Sequence, residues 1–231
     1  MKKILTFSVV ACLAAASSYA ALSKDEVKRL REAGDILTEL REVPDKGIPE
    51  ELWDRTECVV VIPSVKKAAF IFGGEYGSGV MSCRTGVSWS SPVFMQLAKG
   101  SWGLQIGAQS TDLVLLVMNR RGVDKLLEDK VSLGVDASIA AGPVGRSASA
   151  ATDAQLHAEI LSYSRSQGLF AGINLSGGVL RPDKEADERA YGPNVTARQV
   201  VKATEPLLPP LEAAPFLQAL GRTVGAPASA N

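Results

Sequence analysis

The chain has 231 residues, of which 46% are hydrophobic and 22% are charged, so it can bury a sizeable core and is not intrinsically disordered. Its 25 basic and 25 acidic residues balance, which argues against a nucleic-acid binder. A single histidine excludes any metal site that needs two. This length predicts one domain with short appendages.

The first 20 residues have the pattern of a secretory signal peptide. Two lysines precede a short apolar stretch over residues 4–16, and residues 18 and 20 are small, as signal peptidase requires. We expect cleavage after Ala20 and an exported protein, periplasmic or secreted, that can lie peripherally on a membrane. The alternative is a lipoprotein in which Cys12 is the lipidated residue. The apolar stretch is too short for a transmembrane helix.

Helices are predicted at both ends of the mature chain. Ser23 and Glu26 have the spacing of a capping box, and apolar residues then recur at helical spacing. The apolar face of this amphipathic helix could pack on the core or lie on a membrane surface. Pro49 opens a short second helix. The predicted helices cover residues 23–43, a short stretch after 49, 184–191, 197–204 and 211–220.

From residue 58 to about 180 the sequence becomes rich in strand-forming residues and is punctuated by glycine. Glycines inside strands indicate bulges or tight curvature. The pattern therefore predicts a small barrel or a strongly coiled sheet. Strands are predicted at 58–62, 68–73, 79–84, 103–109, 113–118, 132–140, 159–166 and 169–180, with a helical turn at 124–128.

Lys66 and Lys67 follow Pro63-Ser64-Val65, and we predict that this segment is a β-turn between two strands. Four glycines follow within residues 73–79. Two cations at the tip of a turn, with backbone N–H groups freed by glycine, favour the capture of an anion or an acidic head group.

Cys58 and Cys83 are the two cysteines that remain after the signal peptide is removed, and each lies at the end of a predicted strand. Outside the cytoplasm a disulfide between them would persist. The alternative is a pair of buried free thiols, because unpaired cysteine packs like a small hydrophobic residue.

Catalytic signatures are missing from the sequence. His157 has no Gly-x-Ser-x-Gly partner motif, and we interpret it as a structural or surface residue. The glycines of 74–79 have neither dinucleotide nor P-loop spacing. Residues 142–147 could form an anion-binding nest beside Arg146 or only a tight turn. We predict a protein that is not an enzyme and that uses no cofactor or metal.

Four segments, in this order, resemble the SYLF domain family, and with the flanking helices they cover roughly residues 25–205. They are 62–67, 107–119, 134–146 and 159–172. The resemblance implies a compact α+β domain with a curved, mostly antiparallel, barrel-like sheet and a supporting N-terminal helix. We expect this domain over residues 21–205, after the signal peptide 1–20 and before a C-terminal helix and flexible tail over 206–231.

The family resemblance also implies a function. Eukaryotic members bind phosphoinositides and other acidic lipids, and some bind actin. The basic turn of the family corresponds to Lys66 and Lys67, and its arginines correspond to Arg84, Arg146 and Arg165.

Our leading hypothesis is an exported, non-catalytic protein that contacts anionic lipid head groups through those five residues. The alternative is an envelope scaffold that captures a protein on an apolar patch near Trp89 and Trp102, although both rings could instead be core residues. A hydrolase is a third hypothesis, but no nucleophile–base pair supports it.

Overall fold

The computed structural model describes residues 21–42, 47–69, 72–86, 88–102, 109–145, 155, 157–166 and 169–223. The predicted signal peptide with Cys12, the end of the predicted tail and Arg146 lie outside the described residues. So does most of the predicted strand 103–109.

Strands make up the centre of the described chain. They are β1 (Cys58–Ala69), β2 (Phe72–Thr85), β3 (Ser88–Trp89), β4 (Val93–Trp102), β5 (Gln109–Val117), β6 (Val131–Ser132), β7 (Ile139–Ala141), β8 (Ile160–Ser166), β9 (Leu169–Gly172) and β10 (Gly178–Pro182).

The described helices are α1 (Lys24–Glu42), α2 (Glu50–Arg55), α3 (Arg120–Leu126), α4 (Lys184–Tyr191), α5 (Ala197–Lys202), a 3-10 turn (Leu211–Ala213) and α6 (Ala214–Thr223). In the part of the chain covered by the structure, no helix is both long and apolar enough to cross a membrane.

All ten strands belong to one curled sheet with the order β6-β10-β4-β2-β1-β5-β8-β7, to which β3 adds beside β2 and β9 beside β8. Neighbouring strands are antiparallel except β7 and β8. The predicted α+β class, with a curved and mostly antiparallel sheet between N-terminal and C-terminal helices, is confirmed.

The sheet separates two apolar cores, because successive side chains of a strand point to opposite faces. Along β1, Val60 and Ile62 enter one core with residues of α3 and α5. Val59 and Val61 enter the other core with α1, α2 and α6. We call the face that carries Val59 and Val61 the α1 face.

Helix α1 begins as the sequence predicts. The backbone N–H of Ser23 donates to Glu26 Oε2 at 2.7 Å, and the N–H of Glu26 donates to Ser23 Oγ at 3.3 Å. Leu30 and Leu37 are fully buried. The apolar face of the helix is therefore packed on the sheet. Of the two alternatives for this helix, packing on the core and lying on a membrane surface, the structure has the first.

The predicted β-turn at Lys66 and Lys67 is wrong, because β1 runs through it as a single strand. Pro63 and Ser64 together oppose Asp112 of β5, which makes the segment a β-bulge. Ser64 has a φ of 51°, and its N–H donates to Asp112 Oδ1 at 2.8 Å. The bulge accommodates Pro63, and the strand continues beyond it.

Other strand predictions also need correction. Neither β3 nor β4 was predicted, and the stretches 132–140 and 169–180, each predicted as one strand, contain parts of two short strands. Gly134 and Gly177 adopt φ values of +85° and +83° at the turns that interrupt them. A positive φ ends regular strand geometry, so glycine marks turns at these two places and not curvature within a strand.

Cys58 and Cys83 face each other in the register of β1 and β2, and the structure joins them in a disulfide. Both residues are buried, at 0% and 3% exposure. Of the two sequence-based alternatives, the structure has the bonded pair.

Candidate anion-binding surface

Of the predicted site residues whose side chains the structure describes, Lys66 is the exposed cation. It lies on β1 after the bulge, between Ser110 of β5 and Tyr76 of β2 in the register of the sheet. It makes no hydrogen bond or ion pair with any residue that the structure describes. Lys67 continues the strand, opposite Glu75 and Gln109, but its side chain lies outside the described part.

Arg84 is used inside the fold instead of at a ligand surface. Its Nε donates to the carbonyl of Thr56 at 2.8 Å and its Nη2 to the carbonyl of Trp53 at 2.7 Å. The guanidinium lies over the ring of Trp89, 5.0 Å from its centre. These contacts fasten the C-terminal end of α2 to the sheet.

The ring of Trp89 is partly buried beneath this arginine and packs against the core of the α1 face. Of the two interpretations of Trp89, an exposed apolar patch or a core residue, the core residue therefore applies. The side chain of Trp102 lies outside the described residues.

Arg165 is also committed to structural contacts. Its Nη1 is 2.9 Å from Asp112 Oδ2, and its Nη2 pairs with Glu39 at the end of α1. Because Asp112 also holds the bulge through Ser64, this cluster ties β1, β5, β8 and α1 together. Arg165 is only 19% exposed.

Among the described residues, Lys66, Arg84 and Arg165 therefore do not form one basic patch. Arg84 is next to the disulfide at one end of β2, whereas Lys66 pairs near the other end of that strand. Arg165 is closer to Lys66 but is neutralised by two carboxylates.

Arg181 is a basic residue of the same surface that the sequence analysis missed. It is exposed on β10, opposite Gln96 of β4, and donates to Gln96 Oε1 from Nε at 3.1 Å and from Nη2 at 2.9 Å. Its neighbour Leu180 enters the opposite core, so Arg181 points to the α1 face. The alternation of apolar Leu180 with charged Arg181 could have indicated an exposed arginine. The pairing of β10 with β4 cannot be read from the sequence.

Lys66 and Arg181 lie at the two ends of a polar surface on the α1 face, and Tyr76, Ser78 and Gln96 lie between them. We call these five residues the outer strip. Tyr76 is 50% exposed, and its hydroxyl is 3.4 Å from Ser78 Oγ. The strip crosses β1, β2, β4 and β10, three strand spacings or about 14 Å. It offers two cations and several hydrogen-bonding groups to an anionic surface.

A buried carboxyl cluster connects α1 and α4 on this face. Arg189 Nε donates to Glu26 at 2.8 Å, and Arg29 Nη1 donates to Asp183 at 2.7 Å. Burial opposes the charge of both carboxylates, but these arginines hold the pKa of each below its usual value.

Asp187 belongs to the same cluster and has no arginine. Its Oδ1 accepts the N–H of Phe94 at 2.8 Å, and its buried Oδ2 has no partner among the described residues. Burial raises the pKa of Asp187 to about 8, and the nearby charges of Asp183 and Glu26 add to the rise.

His157 lies at a separate open cavity of about 530 Å³. The buried Glu159 in its wall accepts from Lys125 Nζ at 2.8 Å and from the N–H of Ser138 at 2.8 Å. These contacts tie α3 to the start of β8. In the described ranges no group of three His, Cys, Asp or Glu side chains could hold a metal ion.

Residues 98–223 match the family model described as Ysc84, Las17-binding protein actin regulator. The chain is 34% identical over 183 residues to LAS seventeen-binding protein 3 of Saccharomyces cerevisiae, which covers 74% of this chain and 40% of that protein. It is 32% identical over 181 residues to SH3 domain-containing YSC84-like protein 1 of Mus musculus, covering 78% of this chain and 52% of that protein.

The protein of the same name in Xenopus laevis is 34% identical over 169 residues, or 70% of this chain and 50% of that protein. The chain thus spans about half the length of these relatives or less. Their names refer to Las17 binding and an SH3 domain, and not to a reaction. On the family match and these identities, the chain belongs to the Ysc84 family, the SYLF-domain family that its motifs resemble.

Proposed function

We propose that this protein binds membranes with anionic head groups, without catalysis, and that the outer strip is its contact surface. The observation that carries the proposal is Lys66, an exposed cation with no partner among the described residues, in a row of polar side chains on an otherwise packed face. Arg181 supplies the second cation of the strip.

The chemistry of the strip suits a weak and reversible contact. A lysine near an anionic membrane contributes on the order of 1 kcal/mol, and an arginine contributes a similar amount. Tyr76 has an apolar ring and a polar hydroxyl, which suits the boundary between water and lipid. Lys67 and Arg146, whose side chains lie outside the described part, are proposed as additional contacts.

We propose in addition that the protein is exported and acts peripherally on a membrane surface. This part of the proposal rests on the signal-peptide pattern of residues 1–20, with lipidation at Cys12 as the alternative. N-terminal sequencing of the protein from its native cell distinguishes them, because cleavage after Ala20 leaves a free amino group on Ala21.

Vesicle co-sedimentation tests the lipid function. We expect binding to phosphatidylcholine vesicles that contain phosphatidylglycerol and little binding to phosphatidylcholine alone. Lys66→Gln combined with Arg181→Gln should weaken binding about 30-fold, because about 2 kcal/mol of attraction is lost. Added salt should weaken the wild type further.

The matched control combines Arg198→Gln with Lys202→Gln. It removes the same charge from α5, where both residues pair with Asp124. The control should bind like the wild type. Equal binding of the wild type to neutral and anionic vesicles, or an equal loss in both double variants, would refute the outer strip as the lipid surface.

A protein partner remains the alternative proposal, and the names of the Las17-binding relatives support it. A pull-down at low and high salt separates the two functions. Lipid contact through the outer strip should weaken with salt, whereas capture of a protein on an apolar surface should change little.

A further inference from the structure

The segment between α5 and α6 combines three prolines with large exposed apolar side chains. It reads Glu205-Pro206-Leu207-Leu208-Pro209-Pro210-Leu211. Leu208 is 88% exposed and Leu211 is 91% exposed, more than any other large apolar side chain in the described chain. Apolar side chains this exposed mark an interaction site when they lie together.

Exposure in this segment repeats every three residues. Leu207 and Pro210 are half-buried, whereas the residues between and beside them are exposed. Three residues per turn is the period of a polyproline II helix, and Pro210 has its dihedral angles, with φ −59° and ψ 149°. Prolines at positions 206, 209 and 210 restrict the backbone to such values.

The inward side of the segment is fixed to the fold. Ser91 Oγ donates to the carbonyl of Leu207, and the Leu207 side chain packs against the core. The carbonyl of Pro210 accepts the N–H of Ala213 at 2.9 Å at the start of the 3-10 turn. Pro206, Leu208 and Pro209 are exposed on a segment whose other side is anchored to the fold.

We propose that residues 205–211 form a docking site for a protein domain of the SH3 class, whose aromatic-lined groove binds polyproline II helices. Proline-rich segments with the Pro-x-x-Pro spacing of Pro206 and Pro209 bind such grooves, and a preformed helix loses little entropy on binding. Glu205 and Glu212 flank the segment and are exposed, so the fitting groove has basic residues at its rim.

This docking site is independent of the lipid function. Ser91 and Leu207 lie beside the start of β4, whereas the outer strip crosses β4 at Gln96, and the two sites share no residue.

Nuclear magnetic resonance titration with the full chain tests the site. The probes are two isotope-labelled SH3 domains, one with a basic groove rim and one with an acidic rim. We expect shifts in the groove aromatics of the basic-rim domain and weaker effects in the other. Leu208→Ala combined with Pro209→Ala should weaken binding about tenfold or more.

Pro193→Ala is the matched control, because it also removes an exposed proline but lies outside residues 205–211. It should keep most of the affinity, and both variants should retain wild-type vesicle binding. No shift in either SH3 domain, stronger binding to the acidic-rim domain, or an equal loss in Pro193→Ala would overturn the proposal.

Discussion

Asp187 shows how one side chain can make a fold sensitive to pH. Three carboxyl groups, those of Glu26, Asp183 and Asp187, are buried between α1, α4 and the sheet, but only the first two have an arginine partner. An unpaired buried carboxylate is costly, so Asp187 is held in its neutral form.

The raised pKa predicts a loss of stability as the pH rises. The folded protein keeps a proton on Asp187 that the unfolded chain releases above its ordinary pKa of 3.8, so the free energy of unfolding should fall from about pH 4 to about pH 8. Asp187→Asn cannot ionise and keeps an acceptor for Phe94. It should therefore be more stable than the wild type at pH 8, by about 1–3 kcal/mol.

Urea unfolding between pH 5 and pH 9 measures this effect. Glu26 and Asp183 have lowered pKa values, so their contribution is lost only as the pH falls and does not mimic the effect. Glu212→Gln, at an exposed carboxylate, should have the pH slope of the wild type. Parallel slopes for Asp187→Asn and the wild type would contradict the prediction.

The charge of the candidate site residues could be predicted from the sequence, but their structural roles could not. Lys66, Arg84 and Arg165 are all cations beside strand residues, and the sequence offers no way to separate them. In the structure Arg84 donates to two backbone carbonyls and Arg165 pairs with two carboxylates, whereas Lys66 is exposed. Arg181 joined the site only because β10 pairs with β4, a contact between distant parts of the chain.

Elements set by local signals could be predicted, and elements set by distant pairing could not. The caps and prolines of α1 and α4 mark helix ends within a few residues, and those helices were found. The bulge in β1 depends on β5, about 50 residues later, so it was read as a turn. The glycines of β2 are evident in the sequence, but the reason why β2 needs glycine lies in the neighbouring strand.

Gly79 illustrates that reason and gives an element-scale prediction. A Cβ at this position would lie 2.1 Å from the carbonyl oxygen of Val61 and 2.7 Å from Ile62 Cα. These are backbone atoms beside the bulge and cannot move away easily. Gly79→Ala should therefore destabilise the protein by about 3 kcal/mol or more.

Gly100→Ala provides the matched control on β4, where an added Cβ meets nothing within 4 Å. Its change in unfolding free energy should stay within about 0.5 kcal/mol. Similar stability of the two variants in urea unfolding would show that β1 and β2 are less tightly apposed than described.

At the scale of the molecule, the disulfide joins the two central strands of the sheet. It links positions 25 residues apart on β1 and β2, which the remaining strands flank on both sides. Restricting a loop of this size in the unfolded chain stabilises the folded state by about 3 kcal/mol.

Reduction should therefore lower the stability of the wild type by about that amount. Cys58→Ala combined with Cys83→Ala should be less stable than the oxidised protein and should not respond to reductant. Urea unfolding with and without dithiothreitol measures both. The expectation would be contradicted if the urea midpoint of the wild type did not change with reductant although release of the thiols was confirmed.

The contact between α1 and α6 has a consequence for how the chain matures. Gly34 of α1 lies so close to the backbone of Pro215 and Phe216 that an added Cβ would be 3.1 Å from it. The first described helix thus packs against the last. A nascent chain still lacking residues 214–223 has no cover for part of the apolar face of α1, so the core on this face is complete only once α6 has been made.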